Sequence, residues 1–356
     1  MQQNSLNSKV RRNEISVLNV LLCLMVIFIH IISYAVSAFS AETLKYNLVM
    51  FPWRASSIAV QGFILLSGVK FFLTGKDRVP YGKYLVSRLK AIIIPYVIAF
   101  VVYYVFYYAV YDYPLDLKFI LNHLFLGSLV CHLYFIPLIL QFDLLAPLWK
   151  KLVNKVSGVL VVPFCFLLWR ILGTYLPNII NITFPEYNFI YNDRIFTNYL
   201  FYWIIGCYIG KNYDGFLKII KENFSFCIVA FAISFAFFGY YSYLSFNGLT
   251  YIPFMNQVHD FYVICALVLL YGLAIKYGSH LIRRIKLLSL VDRASYSIYL
   301  WHMLVLFGVN YVIEKLGIMS QGVALIIRIA LVYPVTIALC ILINKIKSRL
   351  KPKKSA

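Results

Sequence analysis

The chain has 356 residues, of which 62% are hydrophobic and 13% charged, and its formal net charge is +20. A water-soluble domain of this size would leave too much apolar surface facing solvent, so the composition excludes one and requires lipid as the solvent. The positive charge is split into short clusters between apolar stretches, which excludes a continuous nucleic-acid-binding surface and marks membrane topology instead.

The apolar stretches are long and uninterrupted, whereas barrel strands would alternate over about ten positions. Helices are then the form that satisfies the backbone in lipid, and each crossing takes roughly 20 residues. The expected fold is all-α and polytopic, with about ten transmembrane helices in one bundle. In chain order the predicted spans are 15–37, 55–74, 91–110, 130–149, 156–176, 195–211, 224–245, 258–277, 294–313 and 321–344. Basic residues precede the first span as in a signal peptide, but the stretch is too long and lacks a small-residue cleavage site, so it is expected to stay as a helix.

Lys9, Arg11 and Arg12, the run from Lys76 to Lys90, Lys150, Lys151 and Lys155 fall on one side of these spans. The same side collects Lys211 to Lys221, Lys276 to Arg293 and the tail from Lys345 to Lys354. The opposite loops hold Lys45, Arg54, Lys118, Arg194 and Lys315. The positive-inside rule makes both termini cytoplasmic. Residues 1–356 read as a single membrane domain, with a short N-terminus at 1–14 and a basic tail at 345–356 whose natural partner is anionic inner-leaflet lipid.

Two stretches resist the simple pattern. Residues 119–149 are too long for one span and carry Gly127, Ser128, Pro137 and Pro147, which predicts an interfacial or re-entrant piece. The outer loop 177–194, with Asn178, Asn181, Glu186, Asn188, Asn192 and Asp193, is polar enough to cover a site. The seven cysteines are scattered singly and read as small buried hydrophobes. No histidine or cysteine spacing implies a metal.

Ionisable groups inside lipid cost about 3 kcal/mol or more, so each needs a reason. His30 lies about fifteen residues into the first span, in its outer third, where a neutral imidazole suits a general base. Arg170, Arg328 and His132 also fall toward the outer side, and the four are expected to face one polar cavity. His302 and Asp143 lie nearer the middle or inner half. Tying helices together by hydrogen bonds accounts equally well for Arg170, Arg328 and Asp143. His259 and Asp260 read as a wet helix end, and Lys70 as a snorkelling side chain.

Several segments resemble those of the membrane-bound acyltransferase-3 family. They are Asn19 to His30, Gly62 to Gly68, Tyr84 to Tyr96, His132-Leu-Tyr-Phe-Ile-Pro137 with Gln141-Phe, Trp203 to Tyr213, and Ser295-Tyr-Ser-Ile-Tyr-Leu-Trp-His302. Their order is similar to that of the intercellular-adhesin and surface-polysaccharide branch of the family. The resemblance implies transfer of an acetyl or other short acyl group from cytoplasmic acyl-CoA, as acetyl-CoA or succinyl-CoA, to a hydroxyl of an envelope carbohydrate. It also implies a multi-pass protein of a bacterial plasma membrane that needs no bound cofactor. By the same resemblance His30 is the catalytic histidine, and Arg88, with Lys90 beside it, meets the donor's phosphates. Asn19, His132, Tyr134, Arg170, His302 and Arg328 are supporting candidates.

Two positions depart from the family pattern. Asn19 stands where the family has an arginine, and Ala91 stands where it has a second arginine after Arg88. Asparagine orients a hydrogen bond but brings no charge, so Arg170 or Arg328 would have to supply it. The rival reading is an exporter or flippase for a polysaccharide or lipid-linked sugar, and a third is a subunit of a polysaccharide synthase complex.

Overall fold

A computed structural model describes residues 12–187 and 189–350. Lys9, Arg11, Asn188 and the tail beyond residue 350 lie outside the described residues. Every regular element among those described is helical. Fourteen α-helices follow one another: α1 (Asn13–Ala38), α2 (Leu44–Ala55), α3 (Ala59–Leu73), α4 (Tyr81–Tyr111), α5 (Leu117–Leu126), α6 (Phe135–Leu144) and α7 (Ala146–Lys155), then α8 (Gly158–Thr183), α9 (Leu200–Lys211), α10 (Tyr213–Glu222), α11 (Phe224–Phe246), α12 (Met255–Arg284), α13 (Lys286–Lys315) and α14 (Gln321–Leu350).

Eight stretches among the described residues are long and apolar enough to cross a membrane: α1, Leu44–Leu73, α4, α8, α11, α12, α13 and α14 up to Arg349. This is the all-α, multi-pass architecture expected. The predicted fourth and sixth spans fall on shorter helices. The former divides at Leu145 into α6 and α7, since Pro147 in the first turn of α7 has no N–H to continue the preceding ladder. The latter is the 12-residue α9, led in by a 3₁₀ turn over Phe196–Tyr199. The predicted second span is longer than expected, because α2 runs through Pro52 and Arg54 and continues into α3 by a 3₁₀ turn at Ser56–Ile58.

The chain forms two compact units. Of the described residues, one unit comprises those within 61–214, and the other 12–60 with 215–350. In the first unit, α3 and α9 cross with almost no side chain between them. A Cβ at Gly206 would collide with the Leu65 carbonyl, and one at Gly210 with the Val69 carbonyl. Gly206 and Gly210 stand one turn apart on a single face, the small-residue spacing by which membrane helices approach backbone to backbone. Trp203, stacked on Phe142 with ring centroids 4.6 Å apart, continues this seam toward α6.

The irregular stretch 119–149 is fixed by named contacts in the same unit. Gly127 ends α5 with φ of 61°, and Arg194 Nε donates to the Leu126 carbonyl at 2.7 Å. Gln141 donates to the Arg194 carbonyl at 2.6 Å and accepts from the Phe196 amide at 3.2 Å. α5, with 10 residues, is short for a span, as an interfacial or re-entrant piece would be. Helix α8 extends through Pro177 to Thr183, so the predicted outer loop is shorter than expected and is built of 3₁₀ turns.

In the second unit α1 is central, packing on α12, α13, α14 and α2. Its mixture of Val, Leu, Ile and Ala buries residues on all sides, the pattern of a helix enclosed by protein rather than lipid. The seven cysteines are free; six are buried, and Cys131 is exposed.

Candidate active site

The second unit brings α1 and α13 together in parallel register, and the pairing places two polar contacts at different depths. At the first level, buried Asn19 donates from Nδ2 to Asp292 Oδ1 at 2.7 Å and to Ser295 Oγ at 2.9 Å. Asp292 and Ser295 are three residues apart and share one face of α13. Eleven residues along α1, about 16 Å at 1.5 Å per residue, His30 meets His302 with ring centroids 5.2 Å apart. His302 is fully buried, and its Nδ1 lies 2.8 Å from the Tyr299 carbonyl and 3.1 Å from that of Ile298. Only an N–H can sit against two carbonyl oxygens, so Nδ1 carries the proton and the neutral ring keeps its lone pair on Nε2.

Arg328 reaches the same helix one turn farther on. Its guanidinium lies 4.8 Å from the ring centroid of Tyr34, which is four residues after His30. The Nε donates to Asn310 Oδ1 at 2.7 Å, while Nη1 is buried and has no hydrogen-bond partner among the described residues. A buried guanidinium with an unused donor, held against a ring one turn from His30, suits a reaction in which negative charge develops on oxygen.

The first unit holds the other predicted residues. Arg88 Nε donates to both oxygens of Asp143, at 3.1 and 3.0 Å, and Tyr84 donates its hydroxyl to the same carboxylate. Asp143 is fully buried, so this cluster neutralises a carboxylate and pins α6 to α4. Lys90 is exposed and, two residues from Arg88, lies on a different face of α4; the two do not act as one fork. His132 is buried in the turn before α6, edge-on to Tyr103 at 5.8 Å. Tyr134 faces the Arg194 guanidinium at 5.8 Å. Arg170 lies over Trp169, 5.4 Å from its ring centroid. His132, Tyr134 and Arg170 thus have packing partners within their own unit.

Asp292, Tyr34 and Asn310 are not among the predicted site residues. Asp292 sits in the run Val291-Asp292-Arg293, which reads as a charged span end; an acid three residues from Ser295, at the depth of Asn19, was the available signal. His259 differs from the wet helix end expected, because its Nε2 is 2.7 Å from Ser57 Oγ and its ring packs on Phe238 at 5.4 Å.

Proteins of Staphylococcus aureus strains MSSA476, MW2 and N315, each named probable poly-beta-1,6-N-acetyl-D-glucosamine export protein, are 26% identical to this chain over 226 residues. The match covers 61% of this chain and 62% of theirs, so it spans less than two thirds of those relatives. No solved structure matches. The family model described as acyltransferase domain, of the acyltransferase-3 type, matches residues 12–345, a range that takes in α1 to α13 and the His30–His302 and Arg88–Asp143 clusters. By that match across nearly its whole length, this multi-pass membrane protein belongs to the acyltransferase-3 family.

Proposed function

We propose that the chain is an O-acyltransferase that moves an acetyl or other short acyl group from cytoplasmic acyl-CoA to a hydroxyl of a cell-envelope carbohydrate. The observation that carries this reading is the His30–His302 pair, with the Arg328 guanidinium of α14 over Tyr34, one turn beyond His30 on α1. His30 takes the proton of the acceptor hydroxyl as that oxygen attacks the thioester carbonyl. The carbonyl carbon becomes tetrahedral, and the charge on its oxygen is met by Arg328. The carbon–sulfur bond then breaks, the imidazolium returns its proton to the departing thiolate, and the products are an ester and free coenzyme A. His302, with its Nδ1 fixed by carbonyls, orients and buffers His30.

The two departures from the family pattern fit this scheme. Asn19 meets Asp292 as a neutral donor, and Arg328 supplies the positive charge near His30. The basic turn before α4, with exposed Lys90 beyond it, attracts the phosphates of the donor while Arg88 is held on Asp143, with both termini and these loops cytoplasmic under the positive-inside rule.

The name of the staphylococcal relatives favours a second reading, export of an amino-sugar polymer, alone or with a synthase. Proteoliposomes separate the two. With labelled acetyl-CoA outside and poly-β-1,6-linked N-acetylglucosamine oligomers as acceptor, the enzyme reading expects alkali-labile label on the oligomer. Movement of unmodified oligomer across the membrane with no acyl donor present would instead establish the exporter.

A further inference from the structure

Within the unit Gln61–Asp214, the turn between α3 and α4 and the helix α7 enclose a cleft of about 600 Å³. Lys76 and Arg78 line it from the turn, and Lys150, Lys151 and Lys155 from α7. Asp77 is the one acidic residue in the lining. Five cations facing one carboxylate repel one another, and Lys151 and Lys155 are also a like-charged pair one turn apart on α7. None of the five forms an ion pair among the described residues. Arg88, by contrast, has its Nε on Asp143, and Tyr84, which holds the same carboxylate, is part of the cleft wall. The family's motif arginine is thus a positioning residue that fastens the wall, while the uncompensated charge lies in the cleft beside it.

We propose that this cleft is a phosphate-binding site, in which Lys76, Arg78, Lys150, Lys151 and Lys155 hold a phosphate-bearing ligand. The volume admits more than one phosphate group, and clustered lysines with an arginine are the side chains that bind them as point charges and as a fork. Lys76 is half-buried; burial and then the neighbouring Arg88 lower its ammonium to about 8, with Asp143 opposing, so an anion in the cleft would restore its charge. Two sources carry this chemistry: the phosphorylated end of the acyl donor, an assignment that rests on the function proposed above, and the headgroup of an anionic phospholipid.

The test uses the full chain in phosphatidylcholine nanodiscs and reads binding of coenzyme A and of inorganic pyrophosphate by equilibrium dialysis at several salt concentrations. Wild type is compared with the double variant Lys76→Gln/Lys150→Gln, with Lys76→Arg/Lys150→Arg, and with Lys218→Gln, an exposed cation outside the cleft. The expected result is a rise in Kd of about tenfold or more with a shallower salt dependence in the glutamine pair, little change in the arginine pair, and none in Lys218→Gln. A parallel arm measures retention of phosphatidylglycerol by each variant. Loss of coenzyme A and pyrophosphate binding assigns the cleft to a soluble donor, whereas weak binding of both with glutamine-sensitive phosphatidylglycerol retention assigns it to a headgroup. Glutamine variants that bind all three probes like wild type overturn the proposal. Because no acyl group is used, His30→Ala should bind as wild type does; acyl transfer that survives His30→Ala would end the catalytic reading and leave the cleft standing.

Discussion

Asn19 shows how one side chain sets the local electrostatics of a membrane helix. It gives two buried hydrogen bonds, to Asp292 and Ser295. Removing it in Asn19→Ala leaves a buried carboxylate short of a donor, for an expected loss of about 1–3 kcal/mol. Thermal unfolding in detergent should show a clearly lowered midpoint, and an unchanged one would mean that Asp292 is satisfied without Asn19. At Lys76 the expected effect is on binding. The ammonium is charged below about 8 and neutral above, in a setting that includes Arg88, Asp143, Asp77, Arg78 and Lys150. Measured by the same dialysis, pyrophosphate affinity of wild type relative to Lys76→Arg should therefore fall as pH rises through about 8, the ligand's own titration being common to both. His30 and Arg328 were legible from sequence as costly polar groups in apolar spans. The relation of Arg328 to Tyr34 and Asn310, and of Asn19 to Asp292, was not, because it depends on which helices lie side by side, and residue spacing along one helix carries no such information.

Helix packing explains why the glycines of α9 matter. Gly206 and Gly210 lie against the carbonyls of Leu65 and Val69, with no room for a Cβ. Gly206→Leu forces α3 and α9 apart and should cost at least about 1–3 kcal/mol, since rigid backbone rather than a movable side chain stands in the way. Gly82→Ala, where nothing lies near the added carbon, serves as the control for loss of expression or thermal stability. Equal behaviour of the two variants would contradict the close crossing. Seven of the eight long spans were readable from hydropathy because each is a continuous apolar helix, whereas the polar residues of α2 hid the first part of Leu44–Leu73. The break at Leu145 and the shortness of α6 and α9 were not, because apolar runs look alike in sequence whether or not a turn interrupts them.

Across the whole molecule, the same local contacts bear on how many times the chain crosses the bilayer. The 76–81 turn and residues 146–155 line one cleft, and Lys211 Nζ donates to the Val153 carbonyl at 2.6 Å, so these three segments share a side. Helix α4 leaves that side and α8 leaves it again, which requires the chain to return through α5–α6 and through α9. The expectation is ten passes, with both termini cytoplasmic, although eight stretches among the described residues have full length. A single reporter cysteine in a cysteine-free background, at Lys150→Cys, should react with a membrane-impermeant maleimide only from the cytoplasmic side; labelling from outside would reduce the count to the eight long helices. The central claim concerns chemistry rather than topology, and it is tested most directly by transfer of label from acetyl-CoA to an oligosaccharide acceptor by purified wild type and His30→Ala. The account predicts ester-linked label with wild type and a fall of about 10²-fold or more with His30→Ala at unchanged coenzyme A affinity. Equal transfer by the two proteins would contradict it.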